Sequence, residues 1–189
     1  MQTNETGLKL IKMSEGLFLH TYLCPAGIQT IGYGHTGPDV KMGMTITDEQ
    51  ATALLVKDLK HFEDAVTKYV KVPLNENEFS ALVSLSYNIG EGSPTDTHKR
   101  GLYWSPVLSY LNANQRQEAA DSFLNHDKAR DPKTKQLIEL PGLKKRRLAE
   151  RALFLTPVIT DSPINLMDFD LIPIKPLEFI PTRAVMLGV

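Results

Sequence analysis

Residues 75–90, "NENEFSALVSLSYNIG", limit the possible folds more than any other stretch of this 189-residue chain. Asn75 and Glu78 are spaced as a capping box, in which each side chain can satisfy a free backbone N–H at a helix start. Phe79, Leu82, Val83 and Ile89 then recur at helical spacing until Gly90. The segment is expected to be a buried helix. A second box, "TDEQ" from Thr47, opens a long amphipathic helix through Leu54, Leu55, Leu59, Phe62, Val66 and Tyr69, ended by Pro73. Ser105 followed by Pro106 marks another helix start. Further helices are expected from Asn114 to about Ala129 and from Leu143 to Phe154. Residues 91–104, "EGSPTDTHKRGLYW", carry no periodicity and read as a loop.

The N-terminal part differs. A short helix is predicted to open after Thr6 and end at Gly16, which puts Glu15 in its last turn. Residues 20–24 and 28–33 alternate as strands around "PAG", so Tyr22 is expected opposite Thr30. Cys24 and Thr30 then share a face as diagonal neighbours about 7 Å apart or less. The fold class read from this is α+β, mainly α: a small N-terminal β-hairpin followed by a larger helical body. After Thr156 the prolines at 157, 163, 173, 176 and 181 exclude a continuous helix, while the apolar content is too high for a typical disordered tail. We divide the chain at this point. Residues 1–156 form one domain, and residues 157–189 form an extension expected to pack on the body or on a second copy, making the protein a monomer or a tail-mediated dimer.

Hydrophobic content of 42% with 23% charged residues suits a globular protein, and no apolar run approaches the roughly 18 residues that span a bilayer. Charges at Glu5, Lys9, Lys12 and Glu15 interrupt what a signal peptide needs to be apolar, so synthesis in the cytoplasm without export is expected. Cys24 is the single cysteine; it is a packed, a reactive or an incidental thiol. The net charge of −1 conceals a basic segment at 128–151, where nine Lys or Arg face three Asp or Glu. Such a run is either a solvated helix face or an anion-contacting surface. "KKRR" has no nucleic-acid recognition motif beside it, and no nucleic acid is expected as a partner.

Glu15 carries the first chemical signal. A carboxylate at a helix C-terminus faces the negative end of the backbone dipole, and apolar Leu17 and Phe18 shield it from water; both disfavour the charged form, which suits a proton donor. The wider pattern is Glu15, eight residues, Cys24, five residues, Thr30, then a Gly-His pair at Gly34 and His35. It resembles the active-site stretch of the phage-type lysozymes, the muramidase endolysins of glycoside hydrolase family 24. "NENEFSALVSLSYNIGEG" resembles that family's central helix and "LPGLKKRRLAERALF" its terminal helix, so the resemblance covers about residues 7–156.

The resemblance implies a two-lobed lysozyme-like fold with a cleft for glycan strands. The implied reaction is hydrolysis of the β-1,4 bond between N-acetylmuramic acid and N-acetylglucosamine in peptidoglycan, with no metal and no organic cofactor. Glu15 would protonate the leaving oxygen, and Thr30 would help hold the attacking water on the other face of the sugar, an inverting arrangement. Cys24 stands where the commoner family residue is aspartate and would orient or deprotonate that water. Gly34 and Asn88 are candidate substrate contacts, Asn88 alternatively capping its own helix, and His35 is a structural partner of a helix carboxylate. A soluble endolysin of this kind waits in the cytoplasm of the infected cell for a separate holin-like pore. Two rival readings are a Cys/His amidase or peptidase using Cys24 with His20 or His35, and a non-catalytic wall-binding or membrane-disrupting protein. The second would act through outer-membrane contact by the basic 143–151 helix.

Overall fold

The computed structural model describes residues 1–131 and 134–158. Helix α1 spans Glu5–Glu15, its free N-terminal N–H groups met in part by the Asn4 side chain, and strands β1 (Phe18–Leu23), β2 (Gln29–Gly32) and β3 (His35–Thr36) follow. Helices α2 (Asp48–Tyr69) and α3 (Glu76–Ile89) open on the two capping boxes, both with reciprocal hydrogen bonds in place. Helix α3 is the axis of the body: all its residues from Asn77 to Asn88 are buried, and it packs on α1, α2 and the last helix, α6 (Pro141–Leu155). Two of its three serines are explained by these neighbours, while the Ser86 hydroxyl is buried without a hydrogen-bond partner. Ser80 accepts the Asn4 N–H at 2.9 Å where Gly7 lets α1 approach closely, and Ser84 meets charges from α6.

Strands β1, β2 and β3 form an antiparallel sheet in that order. Tyr22 pairs with Thr30, as the turn length predicts, and the "PAG" turn is closed by Cys24 N–H to Ile28 C=O at 3.0 Å and Gly27 N–H to Cys24 C=O at 2.8 Å. A bulge lies between Phe18 and Tyr22.

The helix expected over 114–129 is not continuous. Helix α4 spans Pro106–Asn112, α5 covers only Arg116–Ser122, and a 3-10 turn follows at Phe123–His126. Strand β4 (Lys128–Arg130) then pairs with β5 (Leu137–Glu139). Phe123 drives the break: it is fully buried with its ring 5.5 Å from Phe154, which turns the chain inward, and the Asp-Pro pair at 131–132 is a turn signal. The extension assigned to residues 157–189 lies outside the described residues from 159 onward.

Candidate active site

Glu15 ends α1, and Gly16 with φ +70° turns the chain at once toward β1, a conformation that favours glycine. The Glu15 side chain is buried, 1% exposed, and meets the Arg146 guanidinium at 2.5 Å. Arg146 is itself buried and bridges outward: Nε donates to Glu150 Oε1 at 3.0 Å and Nη2 to the Ser84 carbonyl at 3.0 Å. Glu150 also accepts from Ser84 Oγ at 2.6 Å and from Arg147 Nη2 at 2.8 Å, with Arg147 Nε 2.8 Å from its second oxygen. Burial works against the Arg146 cation, yet Glu15 and Glu150 together outweigh it and hold Arg146 above its ordinary range. For Arg147 burial outweighs the opposing pull of Glu150 and, more weakly, of Glu15, and with Arg146 adding to it brings the guanidinium down to about 10.

This array corrects the reading of the basic helix. Of the "KKRR" run, Lys144 and Lys145 are exposed while Arg146 and Arg147 are buried, so the run is not one cationic face. The missed signal was position: Leu143, Arg146, Arg147, Glu150, Leu153 and Phe154 follow the i, i+3, i+4, i+7 pattern of a buried stripe, and all six are buried. Charges of both signs on such a stripe announce an internal ion pair.

The hairpin supplies the other wall. Tyr22 and Thr30 are direct cross-strand partners, and Cys24, two residues along from Tyr22, falls on their face. Cys24 and Thr30 are buried, and Cys24 is a free thiol. Thr30 Oγ1 donates to the Ile28 carbonyl at 3.0 Å, so its lone pairs remain as acceptors. Tyr22 was not foreseen. Its hydroxyl is buried without a hydrogen-bond partner, its ring lies 4.4 Å from Phe18, and burial, then Cys24 and Glu15, push it up to about 12. Glu15 and Cys24 therefore both lie within electrostatic reach of one phenol.

The remaining predicted residues fall as follows. His35 is buried, with Nδ1 2.9 Å from Asp58 of α2 and Nε2 3.2 Å from Asp39, so both ring nitrogens are engaged away from Cys24. His20 is exposed and bonds Thr45. Gly34 is buried at φ +94° in the turn from β2 to β3, where an added Cβ would stand 3.7 Å from the Tyr87 hydroxyl. Asn88 is 2% exposed, and neither atom of its amide has a hydrogen-bond partner, so it does not cap its own helix. It lies one turn beyond Ser84 on the same face of α3. Among the described residues no group of three His, Cys, Asp or Glu could hold a metal ion, and no helix is long and apolar enough to cross a membrane. A cavity of about 500 Å³ lined by Pro73, Glu78, Arg116, Phe154 and Pro157, among others, shares no residue with this constellation.

The profile of the family described as Phage lysozyme matches residues 12–150, a span that contains Glu15, Tyr22, Cys24, Thr30, Gly34, His35, Asn88, Arg146, Arg147 and Glu150. The chain belongs to the phage lysozyme family. An endolysin of Salmonella phage P22 is 44% identical over 161 residues, covering 82% of this chain and 99% of its own. The SAR-endolysin of Escherichia phage P1 is 31% identical over 85% of each chain. Among solved structures, the muramidase domain of SpmX from Asticaccaulis excentricus superposes with a TM-score of 0.74 at 37% identity, covering 82% of this chain and 99% of that one. A P22 lysozyme variant superposes at 0.70 with 42% identity over 82% and 99% of the two chains. The mainly helical architecture with small antiparallel sheets is the lysozyme-like fold that the sequence predicted. The enzyme is a glycoside hydrolase of the lysozyme class, an endolysin that degrades peptidoglycan.

Proposed function

We propose that this endolysin hydrolyses the β-1,4 bond between N-acetylmuramic acid and N-acetylglucosamine, with Glu15 as the general acid and Cys24 and Thr30 as the water-holding pair. The observation that carries this reading is that a buried carboxylate ending α1 and a buried thiol on the Thr30 face of the hairpin both act electrostatically on the Tyr22 phenol, the direct strand partner of Thr30. Glu15 protonates the departing glycosidic oxygen. Thr30, its own proton committed to Ile28, can only accept from water, which turns a water lone pair toward the anomeric carbon. Cys24 stands beside it to orient the same water or take its proton. An acid on one side and water on the other give inversion at the anomeric centre. Asn88, a buried amide with both donor and acceptor unused, supports a role in gripping the sugar, because an unmatched buried amide costs roughly 1–3 kcal/mol until a partner arrives.

The rivals gain nothing from the geometry. His35 is committed to two aspartates and His20 to Thr45, which leaves Cys24 without the histidine a thiol peptidase needs. The 143–151 helix keeps only part of its charge for an outer membrane. In the infected cell the enzyme is held in the cytoplasm until a separate holin-like pore admits it to the glycan strands, and residues 157–189 are dispensable for hydrolysis.

Mass spectrometry of fragments released from purified peptidoglycan tests this reading. Disaccharide–peptide products with new N-acetylmuramic acid reducing ends, formed first as the inverted anomer, are expected, and a chain ended after Thr156 should release the same products. New amino groups without reducing ends would overturn it.

A further inference from the structure

The buried array behind Glu15 contains two carboxylates, Glu15 and Glu150, and two guanidiniums, Arg146 and Arg147, all at most 3% exposed. With all four ionised it is neutral. Giving Glu15 the proton that a general acid must carry leaves one positive charge over, in a region where charges are poorly screened. If Arg146 faced Glu15 alone, it would hold that carboxylate firmly in its ionised form. Instead Arg146 is divided: Nη1 serves Glu15, while Nε serves Glu150 at 3.0 Å. Glu150 is fixed in turn from three directions, by Arg146, by Arg147 and by the Ser84 hydroxyl from α3.

We propose that Glu150 and Arg147 are positioning residues for the acid: Glu150 draws off part of the Arg146 charge, Arg147 draws off part of Glu150, and their balance sets how readily Glu15 holds its proton. The proposal rests on Glu15 being the general acid. Neither residue hydrogen-bonds Glu15; Glu150 acts on it through Arg146, and Arg147 acts through Glu150 and Arg146 with a weaker direct attraction to Glu15 added. Among the described residues, the charged and titratable groups around the array include Arg146, Arg147 and Glu150 from α6, Tyr22 from β1 with Cys24 beside it, His126, whose ring feels Arg147, and Asp127 and Lys144, which line a small cavity with Arg147.

The signs of the two neutral variants are opposite. Glu150→Gln returns the whole of Arg146 to Glu15, so the acid ionises earlier, and the pH at which activity falls on the alkaline side moves down by about one unit. Arg147→Met leaves Glu150 wholly on Arg146 and removes one cation, so the same limb moves up by a comparable amount. Damage to packing does not produce shifts of opposite sign. The experiment is the pH–rate profile of peptidoglycan solubilisation by the full chain, with kcat and KM separated. The expected result is the opposed pair of shifts, carried by kcat with KM unchanged, and a parental limb for Glu150→Asp, which keeps the charge.

One folded neutral variant suffices to decide. A limb that stays in place or moves the wrong way in either, or a Glu150→Asp profile displaced like that of Glu150→Gln, overturns the proposal. A Glu15→Gln protein with parental activity would instead remove the acid assignment itself, a separate outcome.

Discussion

The two walls of the site are built by different physics. The helical wall fixes Glu15 by a closed set of charge-assisted hydrogen bonds that ties α1, α3 and α6 together, with every participant buried. The hairpin wall fixes Cys24 and Thr30 by backbone pairing and one local hydroxyl bond, and leaves the Tyr22 hydroxyl without a partner. Electrostatics on one side and strand register on the other teach where each wall is vulnerable. Removing a charge from the helical wall strands its partners, at roughly 3–5 kcal/mol for a broken buried pair. Replacing a hairpin side chain by one of similar size leaves the fold alone and tests chemistry directly.

The largest expected effect is on activity, at Glu15. Glu15→Gln keeps the shape but removes the proton, and loss of general acid catalysis contributes on the order of 100 to 10,000-fold. Turbidity clearing of permeabilised cells reads it, with circular dichroism to confirm the fold. More than a tenth of the parental rate in the folded variant would deny the helical wall its chemical role.

Cys24 comes next. Cys24→Asp supplies a carboxylate as water-holding base and should retain activity, whereas Cys24→Ser, close in size but far less acidic, should lose about 10- to 100-fold at unchanged stability. Tyr22→Phe follows, removing only an unpartnered hydroxyl; folding is expected to be unaffected while the rate drops by up to about tenfold, the worth of one hydrogen bond formed to water or sugar. If Cys24→Ser works at the parental rate, Cys24 is filler and Thr30 alone holds the water on that wall.

The same contrast explains what could be read from the sequence. Register is local: a three-residue turn and period-two alternation are enough to put Tyr22 opposite Thr30 and Cys24 on their face, as observed. The helix starts at Thr47, Asn75 and Ser105 are equally local, each marked by its capping side chain. The charge array is not local, since Glu15 and Arg146 lie 131 residues apart and a run of four cations looks solvated until the helical stripe is traced through it. The β4–β5 hairpin was missed because Phe123 turns the chain through a contact with Phe154, thirty-one residues later.

A stability measurement separates the walls once more. His126 sits beside Arg147, and burial, with Arg147 adding to it, lowers its pKa from 6.5 to about 4. Between those values the unfolded chain binds a proton that the folded chain refuses, so stability is complete above pH 6.5 and is lost progressively as pH falls toward 4. By pH 5.5 the loss is about 1.4 kcal/mol. The carboxylates held low at Asp39, Asp121 and Glu139 act in the same direction only below about pH 4.5, near the ordinary carboxylate range. The His126 share of the loss between pH 6.5 and 5 is read by removing its titration. Thermal melts followed by circular dichroism at pH 7.5 and 5.5 should show a drop in midpoint for the parent and a smaller drop for His126→Gln, whose side chain does not titrate. Equal drops in the two proteins would place the acid sensitivity outside the helical wall.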